Sequence, residues 1–256
     1  IQAVAEGDHS SSSNATSLQF MTGASEAAAT KMTLSSAGLL TVTGGITMTG
    51  TTPTLTIGDA GAEDAKIVFD GNAQDYHIGL DDSLDSFVIG NNGFSTQCIV
   101  VNDSAIVTMP NQPCFLGLND GGDTVNNAAD TTIPIDTEAF DLNGDLSSNT
   151  FTAPVTGKYF LNGAINLDAG SSSNTRFQNV IVMLTCSNRK LKFGYNTVYT
   201  NEDDHMQLSG SGVVDMDAND TCVLQVFASR HGASGATTTV GSSTDLRSGL
   251  GGYLVA

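Results

Sequence analysis

The first 110 residues of this chain contain an internal repeat. Two stretches, 17–43 and 84–110, follow the same order of apolar, small and polar residues at an ungapped offset of 67 positions. The offset aligns Phe20 with Phe87, Gly23 with Gly90, Met32 with Ile99, Leu34 with Val101 and Leu40 with Val107. Each unit is predicted to be strand, polar turn, strand. A short hairpin cannot bury its apolar face alone, so the repeat predicts that neighbouring repeats or other chains cover these faces.

The rest of the composition also favours strands. Charged residues make up only 14% of the chain, and the polar share consists of Thr, Ser, Asn, Gly and Asp, which favour strands and turns. The one helix-prone stretch, Glu26–Ala29, is too short for a stable isolated helix. Threonine alternates with apolar residues from Thr33 to Thr49, as in half-buried strands. Thr54–Ile57 and Lys66–Phe69 are predicted to be further short strands, and the whole chain is predicted to be all-β.

A change of pattern near residue 110 predicts two parts. The segment from Met109 to Pro113 carries two of the five prolines, and proline blocks continued sheet pairing. We therefore expect a repetitive β-stalk over 1–110, a junction over 111–118 and a head with longer strands over 119–256.

Three motifs of the second half occur in a family-specific order. FTAPVTGKYF begins at Phe151, SGSGVVDMDAND begins at Ser209 and is followed by CVLQV from Cys222, and SGLGGYLV begins at Ser248. Together they resemble the complement C1q-like globular heads, which share their jelly roll with tumour-necrosis-factor-like domains. The resemblance implies a jelly-roll β-sandwich in a homotrimer, with a stalk in place of that family's collagen tract. The residues it implies in the core or at the three-fold contact are Phe151, Tyr159, Val214, Leu224, Val226, Tyr253 and Val255.

The first half resembles a different kind of protein. LSSAGLLTVTGGITMTG, from Leu34, and AKIVFDGNAQDYHIGLDDSLDSFVIG, from Ala65, are similar to shaft segments of bacteriophage tail fibres. That resemblance implies a trimeric, intertwined β-hairpin stalk, and the many small residues suit close packing at an axis. Similar hairpin repeats occur in bacterial surface adhesins, so an adhesin remains an alternative.

The charge of the chain restricts its partners. The formal net charge is −18, and the only basic residues before Lys158 are Lys31 and Lys66. Such a surface repels phosphate backbones and anionic membranes, and no apolar run approaches the roughly 18 residues of a membrane span. We therefore expect neither nucleic-acid binding nor membrane insertion. The chain starts at Ile1 without an initiator Met or a signal peptide, which predicts that a longer protein continues upstream.

No motif predicts an enzyme. The four histidines are scattered, and the sequence contains neither a nucleophile elbow nor a phosphate-binding loop. The cysteines form no metal-binding pair and lie in apolar stretches, so we expect buried free thiols, with a disulfide as the alternative. They are Cys98, Cys114, Cys186 and Cys222. The motif from Asp215 to Asn219 starts like an EF-hand but lacks its later glycine and glutamate.

One predicted loop concentrates the candidate binding residues, because loops on a rigid scaffold usually carry binding. The candidates for receptor contact are Tyr195, Tyr199 and His205. The candidates for Ca²⁺ are Glu202, Asp203 and Asp204, with Asp120 and Asp123 as a second set. A solvated acidic loop without a metal is the alternative, and no other cofactor is predicted.

These observations favour a structural, non-enzymatic fibre or spike on the surface of a virion. We expect a homotrimer that joins other virion proteins through its N-terminal side and contacts a host surface glycan or protein with its head. A capsid-decorating head fibre and a bacterial adhesin are the alternatives. A polysaccharide-degrading spike would need a carboxylate pair, and no pair stands out in this sequence.

Overall fold

The computed structural model describes residues 1–169, 176–197, 205–231, 237–239 and 248–256. The chain divides into two compact units, 1–57 and 58–256. The described residues contain strands and two short 3₁₀ turns but no α-helix, which confirms the all-β prediction. No helix in these ranges is long and apolar enough to cross a membrane.

The first unit is a four-stranded antiparallel meander, in which each strand pairs with the next one along the chain. Its strands are β1 (Gln2–Ala5), β2 (Thr16–Thr22), β3 (Ala29–Leu34) and β4 (Leu40–Val42).

The second unit begins with a five-stranded meander of the same kind, here called the middle sheet. Its strands are β5 (Ala65–Phe69), β6 (Tyr76–Asp81), β7 (Ser86–Asn91), β8 (Thr96–Val101) and β9 (Val107–Thr108). The 3₁₀ turns Asp82–Leu84 and Gly93–Ser95 lie before and after β7.

The two meanders repeat one turn geometry. Strands β3 and β8 lie 67 positions apart, and so do the turns that follow them. The Gly38 N–H donates to the Ser35 carbonyl and the Ala105 N–H to the Asn102 carbonyl, both at 2.9 Å. Gly38 has φ +83° and Ala105 has φ +59°. Both turns therefore adopt the left-handed conformation, although alanine occupies it less readily than glycine.

The preceding strands do not follow the same offset. Leu18 pairs with Leu34, and Phe87 pairs with Val101. Phe87 is therefore equivalent to Leu18, and the sequence alignments of Phe20 with Phe87 and of Gly23 with Gly90 are wrong. The connection from β2 to β3 spans residues 23–28, whereas the one from β7 to β8 spans only 92–95. The difference in loop length shifts the strand before the loop.

The segment 43–64, which the structure describes in full, contains no strand. The strand predicted at Thr54–Ile57 is therefore wrong, and β4 ends at Val42 rather than continuing to Thr49. Glycine and proline weaken strand pairing, and this segment contains Gly44, Gly45 and Pro53. Its exposed large apolar side chains are Ile46, Met48, Leu55 and Ile57.

The head is a sandwich of two antiparallel sheets with the strand order of a jelly roll. The strands of the first sheet are, in spatial order, β19 (His205–Met216), β16 (Gly157–Asp168), β22 (Ser248–Leu254), β10 (Cys114–Asn119) and β13 (Thr137–Asp141). Two short strands extend this sheet: β21 (Thr237–Thr239) pairs with one end of β16, and β11 (Thr124–Val125) pairs with β21. The second sheet is built around β17 (Arg176–Cys186), which lies between β18 (Lys190–Thr197) and β20 (Thr221–His231). Two short strands, β12 (Ala129–Thr132) and β15 (Thr150–Thr152), pair with β20. The strand β14 (Leu146–Ser147) pairs with β15 at the edge of the sheet. The predicted jelly-roll head is therefore confirmed.

The head begins earlier than the sequence predicts. Strand β10 starts at Cys114 and lies inside the first sheet, between β22 and β13. Most of the expected junction 111–118 is therefore part of the sandwich. The prolines interrupt sheet pairing only as far as Pro113. The carbonyl of Pro113 already accepts a hydrogen bond from the Leu254 N–H at 3.0 Å.

Aromatic rings form the centre of the sandwich core. The rings of Phe115 and Phe151 stack with centroids 4.4 Å apart, and Tyr159 lies 5.4 Å from Phe151. The Tyr159 hydroxyl donates to the Val155 carbonyl at 2.8 Å, so the ring is buried without leaving its polar end unpaired.

The residues that the C1q-like resemblance places in the core or at the three-fold contact fall into two groups. The buried group is Phe151, Tyr159, Val214, Leu224 and Val226. The other two, Tyr253 and Val255, are 47% and 50% exposed. These two residues cannot be core residues of a single chain.

Replacing a core leucine should destabilise the head far more than replacing an exposed one. Leu224 is fully buried and Leu142 is 52% exposed. We expect Leu224→Ala to lower the free energy of unfolding by about 2–5 kcal/mol and Leu142→Ala by less than about 0.5 kcal/mol. Urea denaturation of the full chain, followed by circular dichroism, measures both values. Equal losses in the two variants would contradict this position of the core.

Candidate functional site

The strands of the head run between two opposite ends of the sandwich. The chain enters at Cys114, and Ala256 lies near that end because its carbonyl accepts a hydrogen bond from Lys158 N–H at 2.6 Å. At the opposite end Asp168 pairs with His205 and Asn119 pairs with Ser248. We call this opposite end the loop end. It is the candidate site because loops on a rigid sandwich commonly carry binding residues.

A group of acidic side chains surrounds one buried asparagine at the loop end. Asn119, the last residue of β10, is fully buried. Its Nδ2 donates to Asp123 Oδ2 at 2.6 Å, to Asp136 Oδ2 at 2.9 Å and to the Pro134 carbonyl at 3.0 Å. Carboxylate oxygens of Asp120, Asp123 and Asp136 lie within 4.8 Å of one another. These four residues, Asn119 included, are the Asn119 cluster.

The cluster concentrates negative charge at a partly buried place. Burial raises the pKa of Asp136, and the neighbouring carboxylates of Asp123 and Asp120 raise it further, although a backbone hydrogen bond from Asp120 opposes them. A proton or a cation would relieve this repulsion. Oxygen ligands are those that Ca²⁺ prefers, and in the described ranges this is the acidic group whose geometry suits a divalent cation. Acidic groups at a surface are common without a metal.

The hydrogen bonds of β21 fix the position of Asp123. The Asp123 N–H donates to Thr239 Oγ1 at 2.9 Å, and the Thr239 N–H donates to the Asp123 carbonyl at 2.9 Å. Thr239 in turn pairs with Leu167 of β16. Sheet pairing therefore connects the Asn119 cluster to the strand that carries Asp168.

Only part of the receptor loop predicted from the sequence lies within the described residues. His205, the first residue of β19, is exposed, and its Nε2 lies 3.7 Å from Asp168 Oδ2. An exposed pair of this kind contributes little to stability. Tyr195 belongs to β18, but its side chain is outside the described part. The candidates that lie outside the described residues altogether are Tyr199, Glu202, Asp203 and Asp204.

Sequence reasoning missed a buried arginine near the same end. Arg230 is 7% exposed, and its Nη1 donates to the Ala169 carbonyl at 2.8 Å. Its Nε and Nη2 have no hydrogen-bond partner in the part of the chain that the structure describes. Burial lowers the pKa of this guanidinium. The sequence contains no motif around Arg230, so only the sheet pairing could reveal its position.

The middle sheet contains a second buried ionisable group. His77 is 3% exposed and meets the Phe94 ring edge-on at a centroid distance of 4.7 Å. Burial lowers the pKa of His77, and the charge of Lys66 lowers it further. Lys66 Nζ itself lies 5.2 Å from the Phe94 ring centroid. His77 is therefore a neutral histidine packed in an interior, which does not suggest an acid–base centre.

The face of the middle sheet opposite His77 is apolar and uncovered. Ile67, Ile78, Ile89 and Ile99 pair side by side across four strands. A second row consists of Leu80, Phe87, Val101 and Val107. Ile67, Ile89, Leu80, Phe87 and Val107 are all exposed in the single chain. We call these two rows the isoleucine face.

The first sheet of the head also has an apolar area on its outer side. The rings of Phe160 and Tyr253 pair across β16 and β22 with centroids 5.3 Å apart. Val213 of β19 pairs with Phe160 on the other side, and Phe140 lies on β13, at the opposite edge of this sheet, where it pairs with Leu116 of β10. Val213, Phe140 and Tyr253 are exposed. These four residues are the outer apolar patch.

Comparison with known proteins gives structural neighbours only. No family model and no curated protein matches the chain. The globular domain of zebrafish complement 1qA protein is 20% identical, with 57% of this chain and 98% of that chain covered and a TM-score of 0.37. Murine APRIL at pH 8.0 is 11% identical, with 56% and 99% covered and a TM-score of 0.37, and murine APRIL at pH 5.0 is 13% identical, with 56% and 100% covered and a TM-score of 0.38. At these identities and TM-scores the likeness does not indicate function.

The raised pKa of Asp136 predicts a pH dependence of stability. The folded chain keeps this proton to a higher pH than the unfolded chain, whose carboxyl titrates near the ordinary value of 3.8. Stability should therefore fall as the pH rises from that value through the raised pKa, and remain lower above it. Asp136→Asn keeps an oxygen that can accept the hydrogen bonds from Asn119 and Asp120, and it should remove this part of the fall. Melting temperatures from about pH 3.5 to pH 7 measure it.

The matched control for this titration is Asp217→Asn, because Asp217 is an exposed carboxylate of the same head. It should retain the pH profile of the unsubstituted chain. If the profile of Asp136→Asn falls as steeply as that of the control, the Asn119 cluster does not carry the predicted electrostatic strain.

Proposed function

We propose that this chain is a homotrimeric, non-enzymatic fibre or spike protein of a virus particle, whose head contacts a host surface glycan or protein. The isoleucine face carries the proposal. Large contiguous apolar areas on a soluble chain mark interaction sites, and this one extends over five paired strands.

The N-terminal meander supports the same conclusion independently. Leu18, Leu34 and Leu40 pair in one row across β2, β3 and β4, and all three are exposed. They correspond to Phe87, Val101 and Val107 of the middle sheet. The same exposed apolar row therefore occurs twice along one chain. A symmetric oligomer would cover both rows, because it covers the same face in every copy.

The outer apolar patch extends this argument to the head. Tyr253 and Phe160 form a paired aromatic surface on the outside of the sandwich, where a single chain leaves Tyr253 half exposed. Aromatic residues are enriched at protein interfaces. The number of three copies rests on the sequence resemblance to C1q-like heads. Because the strands of every sheet pair within one chain, we propose that the copies pack face to face.

The placement of the two surfaces on the head supports an attachment role. The outer apolar patch lies on a sheet face, whereas the Asn119 cluster and His205 lie at the loop end. Self-association through the sheet therefore leaves the loop end free for a partner. The net charge of −18 favours a cationic or neutral partner surface over nucleic acid.

The oligomeric state tests the central claim. Light scattering after size-exclusion chromatography at micromolar concentration should give three times the chain mass of 26.4 kDa. A monomer under these conditions would overturn the proposal, because the isoleucine face would then remain in contact with water.

A pair of adjacent substitutions identifies the face involved. Ile67 is 43% exposed on the isoleucine face, and its neighbour Val68 is 49% exposed on the opposite face of β5. Ile67→Lys brings like charges together in the trimer, which costs several kcal/mol, so association should weaken by about a hundredfold or more. Val68→Lys should leave association unchanged. Equal effects of the two substitutions would exclude the isoleucine face as the interface.

Localisation of the protein tests its place on the virion. Antibodies against the purified chain, detected by immunogold electron microscopy, should label the surface of particles that carry its gene. Purified chain added to host cells should also reduce adsorption of those particles. Labelling of bacterial cells alone would favour an adhesin and exclude the virion role.

A further inference from the structure

Two cysteines lie side by side on adjacent strands of the second sheet of the head. Cys186 on β17 pairs in register with Cys222 on β20, and their sulfur atoms lie 2.8 Å apart. The Ser187 N–H donates to the Thr221 carbonyl at 2.9 Å, whereas the backbone of Cys186 bonds to Arg189. Cys186 and Cys222 therefore occupy a non-hydrogen-bonded position of the antiparallel ladder, where the Cα atoms are about 4.5 Å apart. That distance lies within the roughly 4.4–6.8 Å range of disulfides.

The surroundings of the two thiols differ in a way that suits stepwise oxidation. Cys222 is fully buried and pairs on its other side with Phe151, while Cys186 is 7% exposed next to the turn that leads to Arg189. The hydrogen bond between the sulfur atoms lowers the pKa of Cys186, and the Arg189 charge also lowers it, although burial and the Asp220 charge oppose this shift. The same bond and burial raise the pKa of Cys222. The thiolate therefore forms at the more accessible sulfur.

We propose that Cys186 and Cys222 form a disulfide between β17 and β20 within each head when the protein meets a disulfide oxidant such as oxidised glutathione. The Cys186 thiolate attacks one sulfur of the oxidant, which breaks the oxidant's S–S bond, forms a mixed disulfide and releases one glutathione thiolate. Cys222 then loses its proton to water, and its thiolate attacks the Cys186 sulfur and releases the second glutathione thiolate. The protein loses two electrons and two protons, and the oxidant leaves as two thiols.

The remaining cysteines provide an internal comparison. Cys98 and Cys114 are free and half-buried, and Cys114 pairs with Tyr253 rather than with another cysteine. They should stay reduced while the pair reacts. The bond would join residues that are 36 positions apart, and closing such a loop restricts the unfolded chain. The oxidised protein should therefore melt at a higher temperature than the reduced protein.

Mass spectrometry of the full chain tests the proposal. Trypsin can cut at Arg189, Lys190 and Lys192, which separates Cys186 from Cys222. After incubation with oxidised glutathione, the intact mass should fall by two hydrogen atoms, and the two peptides should appear as one linked species that dithiothreitol separates. Alkylation under denaturing conditions should modify only Cys98 and Cys114.

Two variants make the result specific. Cys98→Ser should form the linked species as the unsubstituted chain does, whereas Cys186→Ser should form none. Should Cys186→Ser fail to fold, the linked peptide and the dithiothreitol-dependent melting temperature of the unsubstituted chain decide the question. Four alkylated cysteines after oxidation, a lasting glutathione adduct at Cys186, or a link through Cys98 or Cys114 would each overturn the proposal.

Discussion

The requirement that every apolar sheet face be covered governs this structure. The head meets it for the inner faces of its two sheets, which cover each other around Phe115, Phe151 and Tyr159, while the outer apolar patch remains exposed. The two meanders do not meet it in the same way, since each leaves a row of leucine, isoleucine or phenylalanine side chains exposed. The proposed oligomer would cover these exposed faces in the same way in every copy.

The sequence predicts the elements of this chain better than their arrangement. The all-β class and the jelly-roll head follow from alternation, from the scarcity of helix-forming stretches and from the three C-terminal motifs. The sequence predictions are wrong where the length of a loop or the presence of a neighbouring strand determines the structure. An ungapped alignment cannot detect that the loop before β3 is longer than the loop before β8, and the alternation around Thr54 does not create a strand where no neighbour pairs with it. Pro113 does mark the boundary of the head, but β10 begins at the very next residue, so no separate junction follows the proline.

The candidate site shows the same limit. The sequence suggests Asp120 and Asp123 because they are close in the chain, but Asp136 joins them only through the hydrogen bonds of Asn119. Arg230 likewise reaches the Ala169 carbonyl because β20 and β16 belong to facing sheets. Such groupings depend on which strands end together, and that information is present in the topology rather than in any short motif.

The positions of Cys114 and Ala256 at one end of the head have a practical consequence. The Lys158–Ala256 hydrogen bond keeps the final residues beside the entry point, so a fluorophore, an epitope or a whole domain fused after Ala256 would emerge at the base of the sandwich. Such an addition would leave the opposite tip unobstructed.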